Sequence, residues 1–92
     1  MPTVNVNYAE ARALRVAVVY WIGHSQDDGD RLSLLAARKF VERLDAVIRD
    51  LSAKNDPLLT WRVAGLEART LTVVRAALKL LPQLDKLSEK FQ

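Results

Sequence analysis

The stretch that decides the fold is Arg31–Lys54, which reads RLSLLAARKFVERLDAVIRDLSAK. Apolar residues recur in it at spacings of three and four, which is the period of one helix face. Charged residues fill most of the remaining positions, and Asp30 is well placed to cap the helix. We therefore predict an amphipathic helix of about 36 Å, long enough to pack along a partner of similar length. Its apolar face carries Ala37, Val41, Leu44, Val47, Ile48 and Leu51.

The segment before this helix leaves helix and strand open over part of its length. Ala9–Arg15 consists of strong helix formers, whereas Val16–Ile22 is β-branched and aromatic, which is typical of a strand. No turn residues separate the two halves, so we predict one buried helix over residues 8–22, capped by Asn7. Ahead of it, Thr3–Tyr8 alternates polar and apolar residues and predicts a short strand.

The segment after the long helix begins with a break at Asn55–Pro57, where an aspartate and a proline also suit a helix start. Apolar residues on two sides then predict a third helix over residues 57–81. Gly65 lies inside this range, at a cost of about 1 kcal/mol relative to alanine. A strand over Leu58–Val63 is the alternative for its first part. A proline ends the third helix, and a fourth, short helix is predicted over residues 83–91.

These elements predict a mostly all-α fold in a single domain of residues 1–92, with three long helices, a short C-terminal helix and a short N-terminal strand. Half of the residues are apolar, at the top of the range for soluble domains. A chain of 92 residues has little interior in which to hide them. We therefore expect a helical bundle that forms a homodimer or a higher homo-oligomer.

Composition also indicates the cellular compartment and the class of partner. There is no cysteine, which excludes disulfides and thiolate metal sites and fits a cytoplasmic protein. The longest apolar run, Val16–Ile22, is too short to cross a bilayer, so we expect no membrane span. The formal net charge is +3, and acidic residues are spread among the basic ones, unlike the dense basic stripe of a dedicated nucleic-acid binder.

Residue patterns that carry chemistry are absent from the sequence. His24 is the single histidine, and its serine and aspartate neighbours in one loop do not make a catalytic triad, whose members come from distant parts of a fold. The acidic loop Asp27–Asp30, aligned on the glycine of an EF-hand, puts Leu35 where a bidentate glutamate is required. No glycine-rich phosphate loop is present. We therefore expect no enzyme, no catalytic residue, no cofactor and no metal.

The function that the sequence favours is a small, non-enzymatic, helical protein–protein interaction module that associates first with itself. It would act as an adaptor, an inhibitor or a structural subunit, with a heterologous protein as a further partner. The expected contact residues are apolar residues of the first and third predicted helices, where the apolar excess is concentrated. They are Val18, Tyr20, Trp21, Leu59, Trp61, Leu66 and Leu71.

Nucleic acid is the alternative partner, because a period-two strand is followed by two helices. This order resembles the ribbon-helix-helix family of DNA-binding repressors, in which the N-terminal strands of two chains form a ribbon in the major groove. The resemblance covers about the first half of the chain and implies a dimeric transcriptional regulator that reads bases with Thr3, Asn5 and Asn7. A basic ridge with Arg62 and Arg69 on the third helix would hold phosphates. Unlike the family's ribbon, this strand carries no arginine or lysine.

Overall fold

The computed structural model describes residues 4–25 and 30–92. It confirms the mostly helical fold and adds one two-stranded sheet. In chain order the elements are β1 (Val4–Asn7), α1 (Tyr8–Ser25), α2 (Arg31–Lys54), β2 (Thr60–Val63), α3 (Ala68–Lys79), a 3₁₀ turn (Pro82–Leu84) and α4 (Asp85–Lys90). α1 packs against both α2 and α3, and α4 packs against α3.

α1 is one continuous helix, including the run Val16–Ile22 for which the sequence left helix and strand open. It ends at Ser25, beyond the predicted end at residue 22. Its start is closed by a reciprocal cap, in which the Glu10 N–H donates to Asn7 Oδ1 (2.9 Å) and the Asn7 N–H donates to Glu10 Oε1 (3.1 Å). Burial of one side offsets the weak helix propensity of the β-branched residues. The buried residues are Ala11, Leu14, Ala17 and Val18.

α2 covers the range that the sequence predicts, and Asp30 is its N-cap. The Asp30 carboxylate accepts hydrogen bonds from the Leu32 N–H and the Ser33 hydroxyl. At the other end, Asn55 adopts a left-handed conformation with φ of 51°, which closes the helix. The face turned to the core consists of Ala37, Phe40, Leu44 and Leu51.

The predicted third helix over residues 57–81 is wrong in its first part. Residues 55–59 connect α2 to β2, and α3 begins only at Ala68. The strand alternative is the one that the structure contains, because Thr60–Val63 is β-branched and aromatic and finds a partner in β1. Gly65 then has φ of 68°, a left-handed conformation that glycine adopts at low cost and that a right-handed helix excludes.

β1 and β2 pair antiparallel and close one side of the helical core. Val4 lies opposite Val63, and Val6 lies opposite Trp61. Because side chains alternate between the faces of a strand, these four residues share one face. The three valines are buried and Trp61 is half-buried against them. The sheet is therefore held by the apolar face that it adds to the core.

α3 and α4 complete the core, which is apolar throughout the described residues. The Arg75 Nε donates to the carbonyl of Phe91 and so ties the end of α4 to α3. Among residues 4–25 and 30–92, no helix combines the length and apolarity needed to span a membrane. The buried residues of this part are Val73, Val74, Ala77, Leu78, Leu87 and Phe91.

Lys90 connects α4 to the other end of the described chain. Its Nζ lies 2.6 Å from Glu10 Oε2 and donates to the carbonyl of Asn5 at 3.2 Å. Partial burial works to raise the pKa of Glu10, but the hydrogen bond and charge of Lys90, together with the Asn7 N–H, outweigh it. The pKa of Glu10 therefore lies below its ordinary value, and this carboxylate stabilises the fold when it is ionised.

We expect Leu44→Ala to lower the free energy of unfolding by about 2–5 kcal/mol, because it leaves a cavity at the centre of the core. Leu44 is fully buried, whereas Leu58 is 87 % exposed and provides the matched control. Leu58→Ala should change the same quantity by less than about 0.5 kcal/mol. Urea unfolding followed by circular dichroism measures both, and equal effects of the two substitutions would contradict this packing.

We expect the Glu10 carboxylate to make stability fall in acid. The pKa of Glu10 in the folded chain lies below the ordinary value of 4.5. Its contribution to the free energy of unfolding is therefore complete above that pH and is lost as the pH falls through the folded pKa. Urea unfolding from about pH 7 to about pH 3 should show a smaller loss for Glu10→Gln than for the wild type. A constant difference between the two proteins over the whole range would show that Glu10 is not stabilised by Lys90.

Candidate protein-interaction site

The outward side of α1 is apolar although it faces solvent. Val16 is 57 % exposed, Val19 is 43 % exposed and Tyr20 is 45 % exposed. At the helical period of 3.6 residues per turn, these three residues lie opposite the buried side of α1. We call them the α1 stripe. His24 extends it toward the end of the helix, with its ring centroid 4.3 Å from that of Tyr20.

Charged residues of α1 are almost absent from this side. Glu10 pairs with Lys90 of α4, and Arg15 pairs with Asp45 of α2, so both turn toward neighbouring helices. Arg12 lies one turn before the stripe and is exposed. The α1 stripe is therefore an apolar surface with one cation at its N-terminal end, which differs from the charged outer face of an ordinary surface helix.

Gly23 lies at the other end of the same side. Among the described residues, and apart from its chain neighbours and the adjacent helix backbone, no atom lies within 4 Å of the position that a Cβ would occupy there. Within the described residues, the surface beside Gly23 therefore has room for a side chain from a second chain. The carbonyl groups of a helix C-terminus carry partial negative charge and favour a cation nearby.

The structure distributes the predicted contact residues between core and surface. Val18 is fully buried in the chain's own core, so its assignment to an intermolecular contact is wrong. Tyr20 is exposed and belongs to the α1 stripe. The remaining five are half-buried, and all except Leu59 pack against the core. They are Trp21, Leu59, Trp61, Leu66 and Leu71.

Sequence reasoning missed Val16 and Val19, although both belong to the apolar run that it singled out. The signal was present in the spacing. Leu14 and Val18 are four residues apart and mark the inward side of α1, and residues two or five positions from Leu14 then fall on the opposite side. An unbroken apolar run hides this alternation until the neighbours of the helix are known.

The base-reading residues of the DNA alternative occupy different surroundings from those that the resemblance implies. β1 pairs with β2 of its own chain, whereas the resemblance implies pairing with the N-terminal strand of a second chain. The Asn7 side chain caps α1, while Asn5 is exposed on the outer face of the sheet. Thr3 lies outside the described residues.

The predicted basic ridge is also divided by the fold. Arg62 lies in β2 and Arg69 lies in α3, so they do not share a helix. The cause is the strand and left-handed glycine that replace the first part of the predicted helix. Arg69 forms an ion pair with Asp30, and Arg62 lies opposite Asn5 in the sheet.

The acidic loop residue that the structure describes has a structural role. The Leu32 N–H is the main cause of a lowered pKa at Asp30; desolvation opposes it, and the Ser33 hydroxyl and Arg69 lower the pKa further. Ionised Asp30 therefore caps α2 and holds the start of α3. Within residues 4–25 and 30–92, no three histidine, aspartate or glutamate side chains come together to hold a metal ion.

Comparison with known proteins assigns no function to this surface. No family model matches the chain, and no curated protein or solved structure matches it. The α1 stripe is therefore argued from its own exposure, charge and geometry.

We expect Asn7→Ala to lower the free energy of unfolding by about 1 kcal/mol, because the cap at the start of α1 is lost. Asn5→Ala is the matched control, since Asn5 shares the strand but is exposed, and its effect should stay within about 0.5 kcal/mol. Thermal or urea unfolding measures both changes. If the two alanine variants were equally stable, the capping role of Asn7 would be refuted.

Proposed function

We propose that this protein is a self-associating helical interaction module and that the α1 stripe is its contact with a second copy. The exposure of Val16, Val19 and Tyr20 carries the proposal. Removing apolar surface from water is worth roughly 25 cal/mol per Å². No element of the described residues covers the stripe, so a second chain is the simplest cover.

A second copy fits best with the two α1 helices antiparallel. A two-fold axis near the middle of the stripe would bring Val16 of each copy against Val19 of the other. Arg12 would then lie beside Gly23 of the other copy, where the surface is open and the helix C-terminus favours a cation. A parallel pair would instead bring the two Arg12 side chains together, and like charges oppose association.

The stripe has the composition of an interface centre rather than of a whole interface. A stable interface buries about 800 Å² of each partner, and the described surface of the chain is 5945 Å². Interface centres are apolar and aromatic, and their rims are polar. Val16, Val19 and Tyr20 match such a centre, and Arg12 and His24 match the rim. Two-fold dimers of this kind are closed and do not propagate into fibres.

Light scattering coupled to gel filtration tests the proposal over a concentration series. The wild type should approach twice the chain mass of 10.4 kDa, and Val19→Glu should elute as a monomer because a carboxylate would be buried without a partner. Leu58→Glu, which adds the same charge at an exposed residue outside the stripe, should leave the dimer intact. A monomeric wild type at every concentration would overturn the proposal.

Disulfide trapping tests the antiparallel arrangement, since the chain has no cysteine of its own. Chains carrying Arg12→Cys are mixed with chains carrying Gly23→Cys and are oxidised mildly. The antiparallel pair predicts cross-linking between the two kinds of chain, whereas a parallel pair predicts cross-linking of Arg12→Cys with itself. The second result would refute the antiparallel geometry.

A further inference from the structure

A groove lies between the first half of α2 and the start of α3. Its walls carry Leu32 and Leu35, which are 56 % and 49 % exposed, and Leu66 from the segment before α3. The buried ring of Phe40 also lines it. The groove has a volume of about 300 Å³ and contains no residue of α1 in its lining. It is therefore a surface separate from the α1 stripe.

The rim of this groove is basic. Lys39 and Arg43 of α2 line it, and neither is in one of the ion pairs found in the described residues. The Arg43 guanidinium lies over the ring of Trp61, 5.2 Å from its centroid, which fixes its direction. Arg69 is neutralised by Asp30. Glu67 also lines the groove, so the rim carries the cations Lys39 and Arg43 beside one carboxylate, and its net charge is positive.

The first half of α2 is rich in cations. It has no acidic residue in its first turn, and between residues 31 and 43 Glu42 is its single acidic residue. Four cations occupy the same stretch, namely Arg31, Arg38, Lys39 and Arg43. A carboxylate-bearing partner would pair with this excess of positive charge.

We propose that the groove binds a short acidic amphipathic helix of another protein. Its apolar side chains contact Leu32, Leu35 and Leu66, and its carboxylates pair with Lys39 and Arg43. An amphipathic helix in a groove buries one apolar face and leaves charges at the edges, which matches apolar walls under a basic rim. A nucleic acid would satisfy the cations but would leave the leucines against phosphates. This binding is independent of self-association through the α1 stripe.

A peptide titration of the ¹⁵N-labelled full chain tests the proposal by NMR. The probe is a synthetic helix of about 14 residues with leucines at spacings of three and four and glutamates elsewhere. Amide shifts should concentrate at Leu32, Leu35 and Leu66, and affinity should fall as salt rises. A matched peptide with lysine in place of glutamate should bind at least about tenfold more weakly. Equal binding of both peptides, or shifts centred on the α1 stripe, would overturn the proposal.

Charge-reversal variants provide a second test of the proposal. Lys39→Glu with Arg43→Glu should reverse the preference, so that the lysine peptide binds better than the glutamate peptide. Arg38→Glu with Arg49→Glu is the matched control, because it changes the net charge equally on the same helix outside the groove and should keep the original preference. If both double variants behaved alike, only net charge would matter and the groove would be excluded. Tighter binding of a short DNA duplex at the same residues would also overturn the proposal.

Discussion

The pairing of β1 with β2 is the interaction on which the rest of the arrangement depends. Two strands of four residues are marginal alone, and they persist here because Val6 and Val63 are buried against the helices. The pairing brings the chain back across the core after α2. It also divides an apolar stretch that would otherwise form one long helix, so α3 starts beside the beginning of α2. The groove between these two helices is a direct result of that division.

The helical part of the fold could be predicted from local information. α2 has a clear period and a capping aspartate, and both act within a few residues of each other. β2 could not be predicted in the same way, because its partner lies more than fifty positions earlier in the chain and an apolar pattern on two sides fits a helix equally well. In a helical pattern Gly65 is a costly residue, whereas in the structure its left-handed conformation marks the loop that follows β2.

The candidate surfaces could likewise be predicted only in part from the sequence. Composition alone indicated more apolar surface than a small domain can hide, but it could not say which side of α1 is covered. Val18 lies inside and Val16 lies outside, although both are valines of the same run. The sequence places the cations of α2 among the charged positions of an amphipathic helix, and only the fold brings Lys39 and Arg43 beside exposed leucines. Residue types therefore predict that contacts exist, and the packing of neighbouring elements decides where they lie.

The contact between Lys90 and Asn5 joins residues that are 85 positions apart, and this separation orders events during translation. A nascent chain leaves the ribosome N-terminus first, so α1 and α2 can form a local hairpin while β1 still waits for β2. The ion pair of Glu10 forms later still, because Lys90 is synthesised after the other elements. Contacts of such long range slow folding. β1 can therefore pair with β2 before α4 is synthesised, whereas the contacts of Lys90 with Asn5 and Glu10 form only after α4 has been made.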